Sequence, residues 1–530
     1  MVGLLIGRVV KATPPPSLRM VALTGRSAPG AAPLTFNVFN PPEIGPSGQV
    51  AFHAFLQGSG VTTSNDEGIW SEGTNGLGLA AREAVSPPAP NGLSVIRALD
   101  APFSLSNGEV AISAYLTGSP TEVPLITTPS GLQQIAGPGF PVPDANGIPL
   151  ANYSWVGLGV TGAYSSNALL LDGEVKQTSG KTFGGYWSKT NGITRLVAKE
   201  NDQPPGALAG ATFSYIGPPV MNSTGQLAFE GAVSDGGFGA GNYTSAIWVN
   251  RNGNLQLLAY PGSSASEVGP GVIYPNFVTR RPAINDQGQI LYQAALDGPG
   301  ITATNNQALI IDDAGSRRVV VQRGQPAPGT LPNMVYDRLD LGDAVINDNG
   351  DVAFSGWVTG PGVSSGNGQY GIWLKDSAGQ LHAIARGGDS APGGGAFQID
   401  RQQPFALNDL GQVAFAAQLM TNQGWGIWGT DTSGVLQLIM RIGNQIEVGP
   451  GDVRTVSSVD FLHRDFSNES TGLHDGLQSG LNDRGDVAFV AQFQDGSSGI
   501  FVSSILAVPE PSTIVIALLA TCLVICRRSK

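Results

Sequence analysis

Cysteine is nearly absent from this chain of 530 residues, because its only two copies, Cys522 and Cys526, stand in the last ten positions. The preceding residues therefore offer no disulfide and no thiolate metal site, and buried apolar area must stabilise the fold. Charged residues make up only 13% of the chain, which is about half the usual share. The formal charge of −12 argues against binding to nucleic acids.

Familiar catalytic motifs are missing as well. The sequence has no Gly-x-Ser-x-Gly elbow flanked by a strand and a helix, no Walker loop, no dinucleotide fingerprint and no His-Glu-x-x-His. It shows no convincing helix before residue 513 and no pairing of a nucleophile with a base. These absences predict a protein that is not an enzyme.

One strand pattern, close to Asn-Asp-x-Gly-Gln-Val-Ala-Phe, is instead repeated along the chain. Its marker glycines are Gly48, Gly108, Gly225, Gly288, Gly350, Gly411 and Gly485. The interval between Gly108 and Gly225 is close to two periods, so a degenerate copy is expected near residues 166–171. The pattern therefore predicts eight copies with a period of about 60 residues.

Each period carries further strands. A second strand reads Gly-Ile-Trp, as at residues 68–70 and 371–373, and a third ends in a Pro-Gly turn, as at residues 381–393. A fourth short strand leads to the next Asn-Asp pair. Alternating apolar residues bounded by Gly, Pro, Asn and Asp indicate strands, and four strands per period are typical of a β-propeller blade. The tryptophans are interpreted as packing anchors rather than sugar-stacking platforms.

The two ends of the repeat region complement each other. Leu18–Leu23 reads as a third strand with no first or second strand before it, whereas the last period has first and second strands, residues 487–493 and 499–502, but no third. A ring that joins these half-units hides both exposed strand edges. The sequence therefore predicts an all-β fold over residues 17–506, a closed β-propeller of eight four-stranded blades, with seven blades as the alternative.

Residues 507–530 form a separate tail. An apolar run from Thr513 to Cys526 is followed by Arg527 and Arg528. As a helix, the run covers about 21 Å of the ~30 Å hydrocarbon core, and the arginine stems extend its reach. Basic residues favour the cytoplasmic side, so the tail predicts a single transmembrane helix with a cytoplasmic C-terminus and the body outside. A buried core helix is the alternative.

The order of Pro509-Glu510-Pro511, apolar helix and basic end resembles the PEP-CTERM sorting signal. The repeats resemble those of NxxGxxAF tandem-repeat proteins, which carry interchangeable anchors. The resemblance implies that an exosortase-type transpeptidase recognises Pro509, Glu510 and Pro511, that the helix is removed, and that the protein reaches the cell surface or extracellular matrix. Arg527 and Arg528 would be the membrane stop.

Residues 1–16 do not fit a complete secretory signal. They lack a basic start and a long apolar stretch. Either the true start lies further upstream, with this segment a remnant of the export signal, or the protein is not exported. The first interpretation is favoured.

Metal binding is considered at two places. In the Asn-Asp-x-Gly turns, Asp348, Asp351, Asp483 and Asp486 offer oxygens that suit Ca²⁺, but no distal bidentate glutamate is in register, so hairpin turns are the favoured interpretation. An insertion around residues 461–480 contains His463 and His474. Its spacing matches no known ligand motif, and a solvated polar loop is favoured.

The sequence as a whole predicts an exported, non-enzymatic protein of the cell surface or extracellular matrix. Its expected partners are an exosortase-type transpeptidase, the membrane and an extracellular polysaccharide or protein, and no cofactor is required. One alternative is an extracellular propeller hydrolase or lyase that acts on polysaccharide. Such an enzyme should gather several carboxylates at the central channel, and the low charge content argues against it. The other alternative is a calcium-dependent adhesin.

Overall fold

Eight β-sheets arranged as the blades of a propeller make up the computed structural model of this chain. The structure describes residues 18–507, apart from residues 74, 86–94, 106–107, 118–121, 166, 235–243, 252, 278–280, 362, 364–369, 400–403 and 463–469. The prediction of eight blades is confirmed, including the degenerate copy, which falls in blade 3. In the described part of the chain, no helix has the length and apolar character needed to cross a membrane. The predicted helix from Thr513 to Cys526 lies outside the described residues.

The blades follow one another along the chain. Blade 1 contains β2 (Thr35–Phe39), β3 (Glu43–Ile44), β4 (Val50–Gln57), β5 (Glu67–Gly73) and β6 (Gly76–Arg82). Blade 2 contains β7 (Ile96–Leu99), β8 (Phe103–Ser104), β9 (Val110–Leu116), β10 (Glu122–Thr128) and β11 (Gly131–Gln134). Blade 3 contains β12 (Tyr153–Ser165), β13 (Ala168–Gln177), β14 (Thr182–Thr190) and β15 (Ile193–Lys199). Blade 4 contains β16 (Phe213–Ile216), β17 (Val220–Met221), β18 (Leu227–Val233), β19 (Thr244–Arg251) and β20 (Asn254–Ala259).

The second half repeats this order. Blade 5 contains β21 (Ala283–Ile284), β22 (Ile290–Ala295), β23 (Gln307–Asp313) and β24 (Ser316–Gln322). Blade 6 contains β25 (Val335–Ile346), β26 (Val352–Thr359), β27 (Tyr370–Lys375) and β28 (Leu381–Arg386). Blade 7 contains β29 (Phe397–Gln398), β30 (Phe405–Leu407), β31 (Val413–Leu419), a 3₁₀ turn (Met420–Asn422), β32 (Trp425–Thr430) and β33 (Leu436–Arg441). Blade 8 contains β34 (Gln445–Gly449), β35 (Asp452–Asp460), β36 (Val487–Phe493), β37 (Ser498–Ser503) and β1 (Leu18–Leu23).

The ring closes by the predicted exchange of half-units. Strand β1 pairs antiparallel with β37, so that Leu18 lies opposite Ser503 and Leu23 opposite Gly499. Beyond the strand, the Thr24 hydroxyl donates to the Ser498 carbonyl at 2.9 Å and accepts the Ser498 N–H at 3.0 Å. The first described strand of the chain is therefore the outermost strand of the last blade.

Tryptophan forms the centre of most blades. Trp70, Trp187, Trp248, Trp373 and Trp428 are fully buried. In four of these blades the indole N–H donates to the carbonyl of a proline in the Pro-Gly turn at 2.9 to 3.2 Å; the prolines are Pro29, Pro205, Pro328 and Pro392. A buried indole N–H needs such a partner. The interpretation of these tryptophans as packing anchors is confirmed.

The glycine of Gly-Ile-Trp has a packing role. A Cβ atom at Gly68, Gly371 or Gly426 would approach the ring of the tryptophan two positions later to between 2.5 and 2.8 Å. Side chains two apart in a strand share one face, so glycine leaves room for the large ring in these three blades, whereas blade 4 accommodates Ala246 before Trp248. The sequence pattern follows from this close approach.

Candidate functional site

The Asn-Asp-x-Gly turns join neighbouring blades around the axis of the ring. In each turn the asparagine Oδ1 accepts the N–H of the residue four positions later, as between Asn347 and Asp351 at 2.8 Å. Its Nδ2 donates to a backbone carbonyl of the next blade; the donors Asn222, Asn285, Asn347 and Asn408 reach Asn285, Asn347, Asn408 and Asn482. The turn interpretation is confirmed, and the asparagine also links the blades.

The aspartate of the same motif points toward the axis in four consecutive blades. Each carboxylate Oδ1 accepts a backbone N–H from the preceding blade at 2.7 to 3.0 Å. Each Oδ2 then faces His474, with distances to the nearer ring nitrogen of 3.7, 3.7, 3.1 and 3.3 Å. We call the four residues the axial aspartates; they are Asp286, Asp348, Asp409 and Asp483.

His474 belongs to a segment that crosses the central channel. This plug segment, residues 470–480, accepts backbone hydrogen bonds from five blades; the donors are Ile44, Ala163, Met221, Leu407 and Ala488. Bonds to blades on opposite sides of the ring require the segment to pass across the axis. The favoured interpretation of the insertion as a solvated polar loop is therefore wrong for this part, because Thr471 and Asp475 are buried and His474 is only 9% exposed.

The plug carries the positive charge that the axial aspartates need. Burial lowers the pKa of His474, but the nearby carboxylates of Asp286, Asp409 and Asp483 outweigh it and raise this pKa well above its ordinary value. Burial raises the pKa of Asp286 and Asp483, but the approach of His474 and hydrogen bonds from backbone N–H groups lower it overall. The geometry therefore holds an imidazolium between ionised carboxylates.

The predicted metal candidates separate into two groups. Asp348, Asp483 and His474 meet at the axis, where Asp286, Asp348 and His474 form one cluster of suitable ligand atoms and Asp409, His474 and Asp483 form another. Asp351 and Asp486 do not join them, since their carboxylates accept hydrogen bonds from Asn347 and Asn482 within their own turns. His463 lies outside the described residues. A calcium site in this protein remains a prediction.

A second acidic site lies over blade 3. A cleft of about 500 Å³ is bordered by the innermost strand β12 of that blade and by parts of blades 2 and 4. Four carboxylates and three tyrosines line it; they are Glu122, Asp172, Glu174, Glu200, Tyr115, Tyr186 and Tyr215. We call it the blade-3 cleft.

Glu122 and Asp172 come together across the interface between blades 2 and 3. Gly159 of β12 pairs with Asp172 of β13, and a Cβ atom at position 159 would overlap the Glu122 carboxyl group. Paired residues of neighbouring strands point to the same face of a sheet. The two carboxyl groups therefore lie on the same face of blade 3 and both reach the cleft.

The environment keeps Glu122 protonated to an unusually high pH. Burial raises the pKa of Glu122 to about 7, a hydrogen bond with Ser113 opposes the shift, and the charges of Asp100 and Asp172 add to it. The side chain of Asp172 is exposed, so desolvation raises its pKa less effectively, and the Arg281 charge opposes the rise. A carboxyl group that titrates near neutral pH can donate a proton to a substrate.

The cleft was not predicted from the sequence, although a signal is present. The residue that directly follows the last position of the repeated Val-Ala-Phe pattern is polar in blades 1 to 6. These residues are His53, Ser113, Asp172, Glu230, Gln293 and Ser355. In blades 1, 2, 4 and 6 this polar side chain contacts a second side chain on the neighbouring Gly-Ile-Trp strand. The second residue stands three positions before the tryptophan or its equivalent, as Ser245 does in its contact with Glu230. In blade 3 that second position is Gly184, which has no side chain; Tyr186 lies directly opposite Asp172, whose side chain is exposed.

Stability is expected to be greater in mild acid than in mild base. Burial raises the pKa of Glu83, Glu122 and Glu230 to about 7, against opposing hydrogen bonds. Between their unfolded values and pH 7 the folded state therefore binds more protons, so stability falls as pH rises through this window. We expect the free energy of unfolding to fall by about 2 kcal/mol from about pH 5 to about pH 8, after discounting for partial exposure.

Urea unfolding at a series of pH values measures this change. Glu230→Gln, which lies outside the cleft, should flatten part of the slope. Below about pH 4 the trend should reverse, because the lowered pKa values of Asp286 and Asp483 make their protonation costly. A stability that rises steadily from mild acid to mild base would contradict the expectation.

Comparison with known proteins gives a family for nearly the whole chain. The sequence profile of a family of unknown function, DUF7453, matches residues 8–124, 118–272 and 228–515. The chain belongs to this family. No curated protein sequence matches this DUF7453 member.

Solved structures resemble this DUF7453 propeller at low sequence identity. The β-propeller domain of the trilobed protease from Pyrococcus furiosus is 12% identical, with 77% of this chain and 98% of that chain covered and a TM-score of 0.36. Dipeptidyl peptidase 4 from Porphyromonas gingivalis is 10% identical, with 86% and 56% covered and a TM-score of 0.41. An α-L-arabinofuranosidase from Fusarium graminearum is 10% identical, with 64% and 90% covered and a TM-score of 0.27.

These neighbours correct one prediction. They are peptidases and a glycosidase, or domains of such enzymes, so the prediction that the DUF7453 chain is not an enzyme is contradicted. The chain spans only 56% of the length of the Porphyromonas gingivalis peptidase. At these identities the likeness concerns the fold alone, and the chemistry must be argued from the cleft.

Proposed function

We propose that this protein is an exported propeller enzyme that cleaves an extracellular polysaccharide, as a hydrolase or lyase, in the blade-3 cleft. The observation that carries the proposal is the meeting of Glu122 and Asp172 in an open cleft, with the pKa of Glu122 raised to about 7. Glycosidic bonds are commonly cleaved by two carboxyl groups whose environments differ.

The two carboxyl groups receive different roles. Glu122, which still holds its proton near neutral pH, is assigned as the general acid that protonates the leaving oxygen. Asp172 has the Arg281 charge nearby, which lowers its pKa against the effect of burial. It is assigned as the carboxylate that stabilises the developing positive charge on the sugar or activates water. Tyr115, Tyr186 and Tyr215 supply flat apolar faces for sugar rings.

The axial aspartates are less suited to this chemistry. Their Oδ1 atoms are held by backbone N–H groups and their Oδ2 atoms face His474. A substrate would have to displace the plug segment, which is bonded to five blades. The blade-3 cleft requires no such rearrangement.

The proposal keeps the predicted route to the cell surface. Pro509, Glu510 and Pro511, with the apolar run and Arg527 and Arg528 after them, support sorting by an exosortase-type transpeptidase. Transfer to the envelope or matrix would bring the cleft into contact with extracellular polymers.

Incubation of the purified full chain with a panel of extracellular polysaccharides tests the enzymatic part. We expect new reducing ends, or unsaturated ends for a lyase, to accumulate with at least one glycan. Asp172→Asn should abolish this product, whereas Asp337→Asn, an equal charge change on blade 6, should not. Absence of products from every glycan in the panel would overturn the proposal.

A further inference from the structure

The charge of the blade-3 cleft is one-sided. Its lining includes Glu122, Asp172, Glu174 and Glu200, and none of its lining residues is a lysine or an arginine. The cations near it are Arg97, which lies over the ring of Tyr115 at 5.6 Å, Lys199, which forms an ion pair with Asp202 at 2.8 Å, and Arg281, whose charge acts on Asp172. The interior of the cleft therefore presents a negative potential to a ligand.

Asp172 contributes an anionic group that lies between Gly159 of β12 and Tyr186 of β14, the residues directly opposite it in the sheet. In blade 4 the equivalent Glu230 has a hydrogen bond with Ser245, and in blade 6 Ser355 bonds Tyr370 at 3.3 Å. In blade 3 the position equivalent to Ser245 and Tyr370 is Gly184, which pairs with Glu174 and brings no side chain. The Asp172 carboxyl accepts a hydrogen bond from its own backbone, and the charge of Arg281 acts on it. A carboxylate left this way in a confined cleft favours a ligand that brings a donor and a positive charge.

The aromatic residues add to the same preference. Tyr115, Tyr186 and Tyr215 lie among the carboxylates, and Tyr215 is 53% exposed. The face of an aromatic ring attracts a cation electrostatically, and ammonium groups are well suited to such sites. Carboxylates and ring faces together form a setting for a protonated amine attached to a sugar-sized group.

We propose that the blade-3 cleft selects a polysaccharide whose sugar units carry free, protonated amines. This inference rests on the proposed function and names its substrate class. The amine would lie between Asp172 and the tyrosine faces, with Glu122 beside the glycosidic oxygen. Polymers of uronic or sialic acids would be repelled, because like charges in a confined cleft cost free energy. An N-acetylated polymer would lose the charge interaction while keeping the ring contacts.

Binding of matched oligosaccharides to the full chain tests the preference. The probes are a glucosamine oligomer, the N-acetylglucosamine oligomer of the same length and a uronic acid oligomer, titrated calorimetrically at low salt. We expect the amine-bearing oligomer to bind about tenfold more tightly than its acetylated counterpart, and the advantage to shrink as salt is added. The uronic acid oligomer should show no binding.

Two variants assign the effect to the cleft. Asp172→Asn should reduce the preference for the amine to about threefold or less, whereas Asp337→Asn, which changes the net charge equally on blade 6, should leave it intact. Equal or tighter binding of the acetylated oligomer would overturn the inference. If that oligomer is also cleaved, the proposed function stands and only the amine preference is lost. If no oligosaccharide is bound or cleaved, both fail.

Discussion

Glu122→Gln is expected to lower the rate of polysaccharide cleavage by about 10²–10⁴-fold, because glutamine has no acidic proton to give to the leaving oxygen. Glutamine keeps the size of the side chain and still accepts a hydrogen bond from Ser113, which is one of the contacts of Glu122. Binding should therefore change little, and the loss should appear in kcat rather than in KM. Initial rates on the glycan found active in the panel measure the effect.

The wild-type pH profile provides a second measurement of the same role. Since the pKa of Glu122 is raised to about 7, the rate should fall as pH rises above that value. Glu174→Gln is the matched control, because Glu174 is an exposed carboxylate on the lining of the same cleft. A Glu122→Gln variant as active as Glu174→Gln would show that Glu122 is not the acid.

His474→Gln is expected to lower the free energy of unfolding by about 3–5 kcal/mol, since removing one partner of a buried ion pair leaves the other charges uncompensated. Four carboxylates would then face one another across the axis, with no imidazolium between them. The plug segment should also loosen, because His474 is its charged contact with blades 5 to 8. Chemical unfolding of the full chain measures the loss.

Two further variants separate charge from packing. His382→Gln removes a histidine whose side chain is 53% exposed and which pairs with Asp376, so it should cost less than about 1 kcal/mol. Adding Asp409→Asn to His474→Gln should restore part of the lost stability, because asparagine keeps the acceptor for the Asp348 N–H while removing one negative charge. If the single His474 variant unfolds at the wild-type denaturant concentration, the axial charge balance does not stabilise the ring.

The closed ring could be predicted because its determinants are local and repeated. A strand, a Gly-Ile-Trp strand and a Pro-Gly turn recur in order, and each requires the residue types seen. The pairing of Leu18–Leu23 with the last blade followed from counting which strands were missing at each end, and the structure confirms it.

The plug segment could not be predicted because it is stabilised by contacts with distant parts of the chain rather than by contacts within the segment. Residues such as Thr471, His474 and Asp475 have the polar composition of a surface loop. Their backbone partners lie in five blades, including Ile44, Ala163 and Met221, which are hundreds of positions away. The sequence alone does not single out Asp286 and Asp409 as ligand candidates for the same reason. Only the geometry of the ring brings the equivalent turns of different blades close together.

The blade-3 cleft can be recognised from the sequence only when equivalent positions of the repeats are compared, and the repeats themselves do not indicate which positions to compare. Asp172 occupies a position that is polar in six blades, and Gly184 stands where four of the other blades carry a side chain that meets it. The approach of Glu122 to Gly159 joins two blades and has no counterpart in the local sequence. Glycines at the right places, rather than an added catalytic motif, open the cleft.

The pairing of β1 with β37 also fixes the order of events during synthesis. Thr24 is bonded to Ser498, a residue 474 positions later, so the leading edge emerges without its partner. Interior blades can form in sequence because their strands are contiguous. The leading edge must remain unpaired, and at risk of joining another chain, until the strand that pairs with it has been made.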